Sequence, residues 1–233
     1  MARSQKITRH FELVIFDCDG VLVDSEPIIN QAHACVLTAC GYSIAEQDLV
    51  ARFCGMSDRE MLDIIEREWG RTLPTAYAER VGAVIEAGFR QSLTAIEGVA
   101  EVLDALSLPI CVASSSTLEQ IRGKLQLTGL LQRFGENLFS ATMVARGKPA
   151  PDLFLHAAQQ LAVAPDCCLV IEDSPAGIEA ARAAGMTVIG FSGGSHCGPE
   201  HGAHLQERGA ALVIDDMRQL ATTMTKLAQF VGR

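Results

Sequence analysis

Five short apolar runs, spaced along the chain, leave this sequence few folds to adopt: FELVIF (11–16), LPICVA (108–113), CLVIE (168–172), TVIGF (187–191) and ALVI (211–214). Each is continuous instead of alternating and rich in β-branched residues, the pattern of strands in a parallel sheet covered on both faces. Helical patterns lie between them, so the chain is expected to fold as α/β with a doubly wound parallel sheet. At 233 residues and 48% hydrophobic composition there is enough apolar side chain to cover both faces of such a sheet.

Helix boundaries are marked by local chemistry. Ser116 opens an S-x-x-E capping box with Glu119, and Leu118, Ile121 and Leu125 follow at helical spacing. Ser174, Pro175 and Gly185 read as N-cap, first-turn proline and terminating glycine. Residues 26–94 differ in character. They hold PIINQAHACVLTAC, then SDREMLDIIEREWG with a capping box from Ser57 to Glu60 and a stop at Gly70, then a long pattern from Thr75 to Leu93, and no strand pattern. The predicted division is a core of residues 1–25 and 95–233 and an all-helical insert of residues 26–94.

Charge and composition exclude several functions. A net charge of −9 lacks the basic footprint that nucleic-acid binding needs, and no apolar run is long enough to span a membrane. The N-terminal MARSQKITRHFEL is basic but is followed by a strand pattern with aspartates instead of an apolar signal core, which predicts a cytoplasmic chain. The eight cysteines are scattered among apolar residues without a CxxC, as expected of reduced, mostly buried thiols. The histidines and cysteine of SHCGPEHGAH (His196, Cys197, His201, His204) fit no standard zinc spacing, and its glycines and proline predict a surface loop.

Polar residues follow the strands. Asp17 and Asp19 come after the first run, Ser114, Ser115 and Ser116 after the second, and Glu172, Asp173 and Ser174 after the third. In an open parallel sheet the ligand crevice lies beyond the carboxyl ends of the strands, so groups distant in sequence converge there. The Gly/Pro loop at Arg146-Gly147-Lys148-Pro149 brings a cation within reach of the same place. Four carboxylates in one crevice repel each other, and a hard divalent cation with oxygen ligands, magnesium first, offsets that repulsion. The hydroxyls of Ser114 and Ser115, nearby backbone amides and the Lys148 ammonium suit the remaining oxygens of a phosphoryl group. Taken singly, an aspartate or serine at a strand end is an ordinary turn or cap residue; the ordered set is what points to chemistry. Within FDCDG, strand alternation puts Asp17 and Asp19 on one side and Cys18 on the other, where it packs into the core.

DCDGVLVDSE, the Ser114 of CVASSS, the Lys148 of GKPAPD and EDSPAGIEAARAAG resemble, in order and spacing, the four motifs of the haloacid dehalogenase superfamily. Within it the chain most resembles the β-phosphoglucomutase-like phosphatases with a helical cap. The resemblance implies a Rossmann-like core with the cap inserted after the first strand. It implies that Asp17 is a nucleophile forming an aspartyl phosphate and Asp19 the general acid, then base. It also implies magnesium held by Asp17, the Asp19 carbonyl and Asp173, with Glu172 a ligand or a partner of one, and phosphate bound by Ser114 and Lys148. The expected activity is hydrolysis of a small phosphorylated metabolite (a sugar phosphate, a phosphogluconate-like sugar acid or a polyol phosphate) by a monomer or weak homo-oligomer. Arg52, Gly55 and Arg59 of the insert are the expected specificity residues. The alternative is a sugar-phosphate mutase. Against it, Ile29 stands where the mutase carries a histidine, with His33 one turn later, and Asp58 stands where the mutase carries an arginine.

Overall fold

All five apolar runs become strands: β1 (Leu13–Phe16), β2 (Ile110–Ser114), β4 (Cys168–Glu172), β5 (Thr187–Phe191) and β6 (Leu212–Ile214). The computed structural model describes residues 10–53 and 58–229. It adds β3 (Leu138–Ser140), an edge strand too short to stand out as an apolar run. All strand pairs are parallel, in the order β3-β2-β1-β4-β5-β6. This is the doubly wound order, and its reversal between β1 and β4 opens a crevice beyond their carboxyl ends.

Alternation along the strands builds two apolar layers. Val14, Phe16, Val112, Leu169 and Ile171 face one side, Leu13, Ile15, Cys111, Cys168 and Val170 the other. Four helices, α1 (Glu26–Cys40), α2 (Glu46–Phe53), α3 (Asp58–Trp69) and α4 (Tyr77–Ser92), fall between β1 and β2. Next come α5 (Val99–Ala105), α6 (Leu118–Leu127), α7 (Leu131–Phe134), α8 (Asp152–Gln160), α9 (Pro175–Ala183), α10 (His201–Glu207) and α11 (Leu220–Gln229). The first face is covered by α5, α6, α7 and α11, the second by α8, α9 and α10. Cys18 lies fully buried in the first layer, as packing requires.

The four helices between β1 and β2 carry their own apolar cluster, with Leu37, Leu49, Phe53, Met61, Ile65, Tyr77 and Val81 at its centre. Two chain crossings join them to the sheet, and these pair with each other. Asp24 donates its amide to the Thr94 carbonyl at 3.0 Å, and Ile96 to Leu22 at 3.0 Å. Sequence pattern missed α2, whose eight residues include only a few apolar ones. The Ser57 cap and Gly55 lie outside the described residues. No helix among the described residues is long and apolar enough to cross a membrane.

One predicted cap is displaced. The helix α6 starts at Thr117, whose hydroxyl accepts from Gln120 N at 3.3 Å while the Gln120 side chain accepts from Thr117 N at 3.0 Å. The box therefore sits one residue later than Ser116 and Glu119, which leaves the Ser116 hydroxyl available to the crevice. Ser174, Pro175 and Gly185 bound α9 as expected, the Ser174 hydroxyl accepting from Gly177 N at 3.0 Å.

Candidate active site

The chain leaves β1 through a tight loop. Asp17 N still bonds the Ile171 carbonyl of β4 at 3.0 Å, and Leu22 N and Val23 N then both return to the Cys18 carbonyl at 2.9 and 3.1 Å. Gly20 takes φ 74 there. A Cβ on it would lie 1.9 Å from Asp173 Oδ2, so the loop can approach the β4 carboxylate only with glycine. On the far side, a Cβ on Gly177 would overlap the Glu172 carboxylate. Both glycines let backbone pass against buried acids.

Asp17, Glu172 and Asp173 are all buried, and their carboxylate oxygens lie within 4.8 Å of one another. Burial pushes the Asp17 carboxyl well above its ordinary range, against the pull of Lys148, with Glu172, Asp173 and Asp19 adding repulsion. Asp173 is raised in the same way, first by burial and then by Glu172. Lys148 is the counter-charge. Its buried ammonium donates to Asp17 Oδ1 at 2.7 Å, to the Ala113 carbonyl at 3.0 Å and to Glu172 Oε1. Although burial disfavours its charge, Asp17 and Glu172 hold it protonated and raise its pKa. The other Glu172 oxygen accepts from the amide and hydroxyl of Ser174, both at 2.9 Å. Three carboxylates facing one ammonium leave a surplus of negative charge, and that donor set fits a hard divalent cation.

Asp19 sits apart from this group. Both of its oxygens accept from Lys124 Nζ, and Ser25 and Ser116 add hydroxyl bonds at 2.7 and 2.9 Å. Burial pushes its pKa up, but Lys124 and the two hydroxyls outweigh that and hold the carboxyl below its ordinary value. Lys124 was not anticipated. Its signal was a lysine at i+3 from Ile121 on the apolar stripe of α6, where only a paired cation is stable.

The remaining predicted residues are placed unevenly. β2 runs beside β1 with Phe16 level with Val112, which puts the buried Ser114 at the same sheet edge, where its hydroxyl accepts from Ser116 N at 3.2 Å. Ser115 is exposed. Arg52 does not reach the crevice: it pairs with Glu68, bonds the Tyr42 hydroxyl at 3.1 Å and stacks over Phe53. Arg59 is exposed on α3. The segment after β5 is not simply a surface loop, because it folds over the carboxylates. His196 Nε2 lies 3.0 Å from Asp173 Oδ2, and His201 Nε2 donates to the Asp173 carbonyl at 2.7 Å. Ligand atoms of His196, Cys197 and His201 also fall within 4.8 Å of one another, a proximity the residue spacing did not suggest.

Known proteins resemble this chain in sequence and fold. The sequence profile of haloacid dehalogenase-like hydrolases matches residues 14–191. The 6-phosphogluconate phosphatase of Escherichia coli is 35% identical over 189 residues, 81% of this chain and 86% of that one. Hexitol phosphatase A of the same organism is 30% identical over 213 residues, 90% and 93% of the two chains. The crystal structure of a conserved haloacid dehalogenase-like protein from Agrobacterium tumefaciens superposes with a TM-score of 0.87 at 39% identity, covering 94% of this chain and 99% of that one. With the doubly wound sheet, the aspartates after β1 and the carboxylates after β4 in place, the chain belongs to the haloacid dehalogenase-like hydrolases, among their phosphoric monoester hydrolases.

Proposed function

We propose that the protein is a magnesium-dependent phosphatase of small phosphorylated sugars, sugar acids or polyols, working through a phosphorylated Asp17. The observation that carries this reading is the buried trio Asp17, Glu172 and Asp173, with Lys148 bridging Asp17 and Glu172 and His196 beside Asp173. A carboxylate in that setting is desolvated and positioned by its neighbours, as a nucleophile must be.

In the first step an Asp17 oxygen bonds to phosphorus while the bond to the substrate alcohol breaks, and the departing oxygen takes a proton from Asp19. In the second step Asp19 takes a proton from water, whose oxygen displaces the Asp17 carboxylate from phosphorus. Lys124 holds Asp19 ionised in this structure, so to act as acid Asp19 must leave that ion pair and take up a proton from solvent before the leaving oxygen departs. Lys148 and the Ser114 hydroxyl bind the phosphoryl oxygens.

Asp17, Asp173 and the Asp19 carbonyl would hold the cation. Glu172, with one oxygen on Lys148 and the other on Ser174, would orient the lysine and the β4 turn instead of touching the ion. When bound, magnesium neutralises the phosphoryl oxygens as charge develops on them. Residues 26–94 would act as the cap over this edge, and the buried thiols of Cys18, Cys111 and Cys168 suit a reducing cytoplasm.

Phosphate release from a panel of sugar and polyol phosphates tests the reading. Release is expected with magnesium and lost with EDTA; full activity under chelation refutes the metal assignment. The mutase reading draws on His33, which faces the insert from α1. Isomer formation without free phosphate would establish it in place of hydrolysis.

A further inference from the structure

Between α1, α2, α3 and the loop after β5 lies a pocket of about 80 Å³, lined among the described residues by Glu26, Asn30, His33, Asp58 and His196 on apolar walls. Glu26, Asn30 and His33 follow one another at helical spacing, so a single face of α1 supplies three of its polar groups. His196 bridges pocket and reaction centre, since its ring also meets Asp173. The volume is well below the roughly 300 Å³ or more of sites that enclose a whole ligand, so it suits one end of a substrate.

The imidazole of His33 gives the pocket its direction. His33 is 4% exposed. Its Nδ1 meets the Tyr77 hydroxyl at 2.9 Å, while Nε2 has no hydrogen-bond partner and lies 3.7 Å from Asp58 Oδ2. A buried polar nitrogen without a partner is costly, and it is normally satisfied by a ligand or water. Two carboxylates line the same space, and among the described residues neither lysine nor arginine lines it. A hydroxyl can donate to Asp58 or Glu26 and exchange a hydrogen bond with His33. A carboxylate entering there would face the like charge of Asp58.

We infer that this pocket receives the leaving group of the substrate and selects a neutral, hydroxyl-rich end, that of a polyol or sugar, over the carboxylate of a sugar acid. His33 is the hydroxyl-reading residue, and Asp58 rejects the anion. The inference rests on the phosphatase reading for its substrate and narrows it.

Glucitol 6-phosphate and 6-phosphogluconate test it, because they differ at the far end as an alcohol and a carboxylate. Their affinities are measured by calorimetry with magnesium in an Asp17→Asn background, so binding is read without turnover. Glucitol 6-phosphate is expected to bind about tenfold or more tighter. Asp58→Asn, at an exposed position that folding tolerates, is expected to narrow that ratio several-fold by strengthening 6-phosphogluconate. His33→Leu is expected to weaken glucitol 6-phosphate about tenfold more than it weakens p-nitrophenyl phosphate. Equal or tighter binding of 6-phosphogluconate, or a ratio unmoved by Asp58→Asn, overturns the assignment. Phosphate release by the unsubstituted protein judges the reaction separately. No release with the preference intact removes the phosphatase reading and leaves the pocket standing; release with the preference reversed does the opposite.

Discussion

The sheet edge and the helical insert are built on opposite terms. At the edge the site's charged groups have close partners: Lys148 with Asp17 and Glu172, Lys124 with Asp19, and Asp173 beside the His196 ring. In the insert His33 Nε2 has no hydrogen-bond partner, only the Asp58 carboxylate 3.7 Å away, and that side chain is 72% exposed. Groups that do chemistry must be held before the substrate arrives, because reorganisation during the reaction raises the barrier. Groups that read a substrate need open hydrogen-bonding capacity. The difference separates a candidate reaction centre held by its own ion pairs from a pocket with hydrogen-bonding capacity to spare.

The largest test of that separation is Asp17→Asn. Turnover should fall by more than about 10³-fold on every phosphomonoester, since the change removes the proposed nucleophile and not a contact with one substrate. Folding should survive, because burial already disfavours the Asp17 charge and Lys148 keeps Glu172 as its partner. A variant within tenfold of the parent would end the nucleophile assignment.

The same contrast explains what could be read from the chain. Asp17, Asp19, Ser114, Glu172 and Asp173 stand where apolar runs end, and strand order alone gathers such residues at one edge. Lys148 was legible for a related reason, lying in a Gly/Pro loop ahead of α8. Lys124 and His196 were not, because their positions depend on a helix rotation and a loop path that no local pattern encodes. Arg52 shows the converse case. Its charge suggested an anion contact, but Glu68 and Tyr42, sixteen and ten residues away in sequence, claim it. Within the insert the pocket is made by faces of three helices, and periodicity gives each face without giving how they meet. The edge strand β3 escaped because three residues carry too little pattern.

Next in size is Lys124→Met. It leaves the Asp19 carboxylate in a largely buried position with hydroxyls but no cation, which should cost about 3 kcal/mol of unfolding free energy in a urea titration. Adding Asp19→Asn removes the stranded charge and should restore more than half of the loss. If the single variant costs under about 1 kcal/mol, the edge is less tightly tied than the hydrogen bonds imply, and the contrast with the insert weakens.

Glu26 lies on the boundary between the two regions and should show it through pH. Burial, with Asp173 next in weight, raises its carboxyl to about 7 from an ordinary 4.5. The folded protein therefore holds a proton there that the unfolded chain has released, and stability contributed by this group falls as pH rises from about 4.5 to 7. Comparing urea midpoints with and without Glu26→Gln in EDTA should reveal a slope of that sign, on the order of 1 kcal/mol across the window, absent from the variant. A difference of opposite sign would mean that the histidine beside it, His196, outweighs burial.

The smallest effect expected is that of Arg52→Ala. Its partner Glu68 is about half exposed, and exposed pairs of this kind contribute between nothing and about 1 kcal/mol. Because the guanidinium is held by Glu68 and Tyr42 and does not line the pocket, kcat/KM for glucitol 6-phosphate and 6-phosphogluconate should change by less than about twofold, in the same direction for both. A selective loss on the sugar acid would show that this arginine leaves Glu68 to meet a carboxylate. The insert would then select by attraction as well as by the repulsion of Asp58, and the contrast between the edge and the His33 pocket would have to extend to the insert's surface cations.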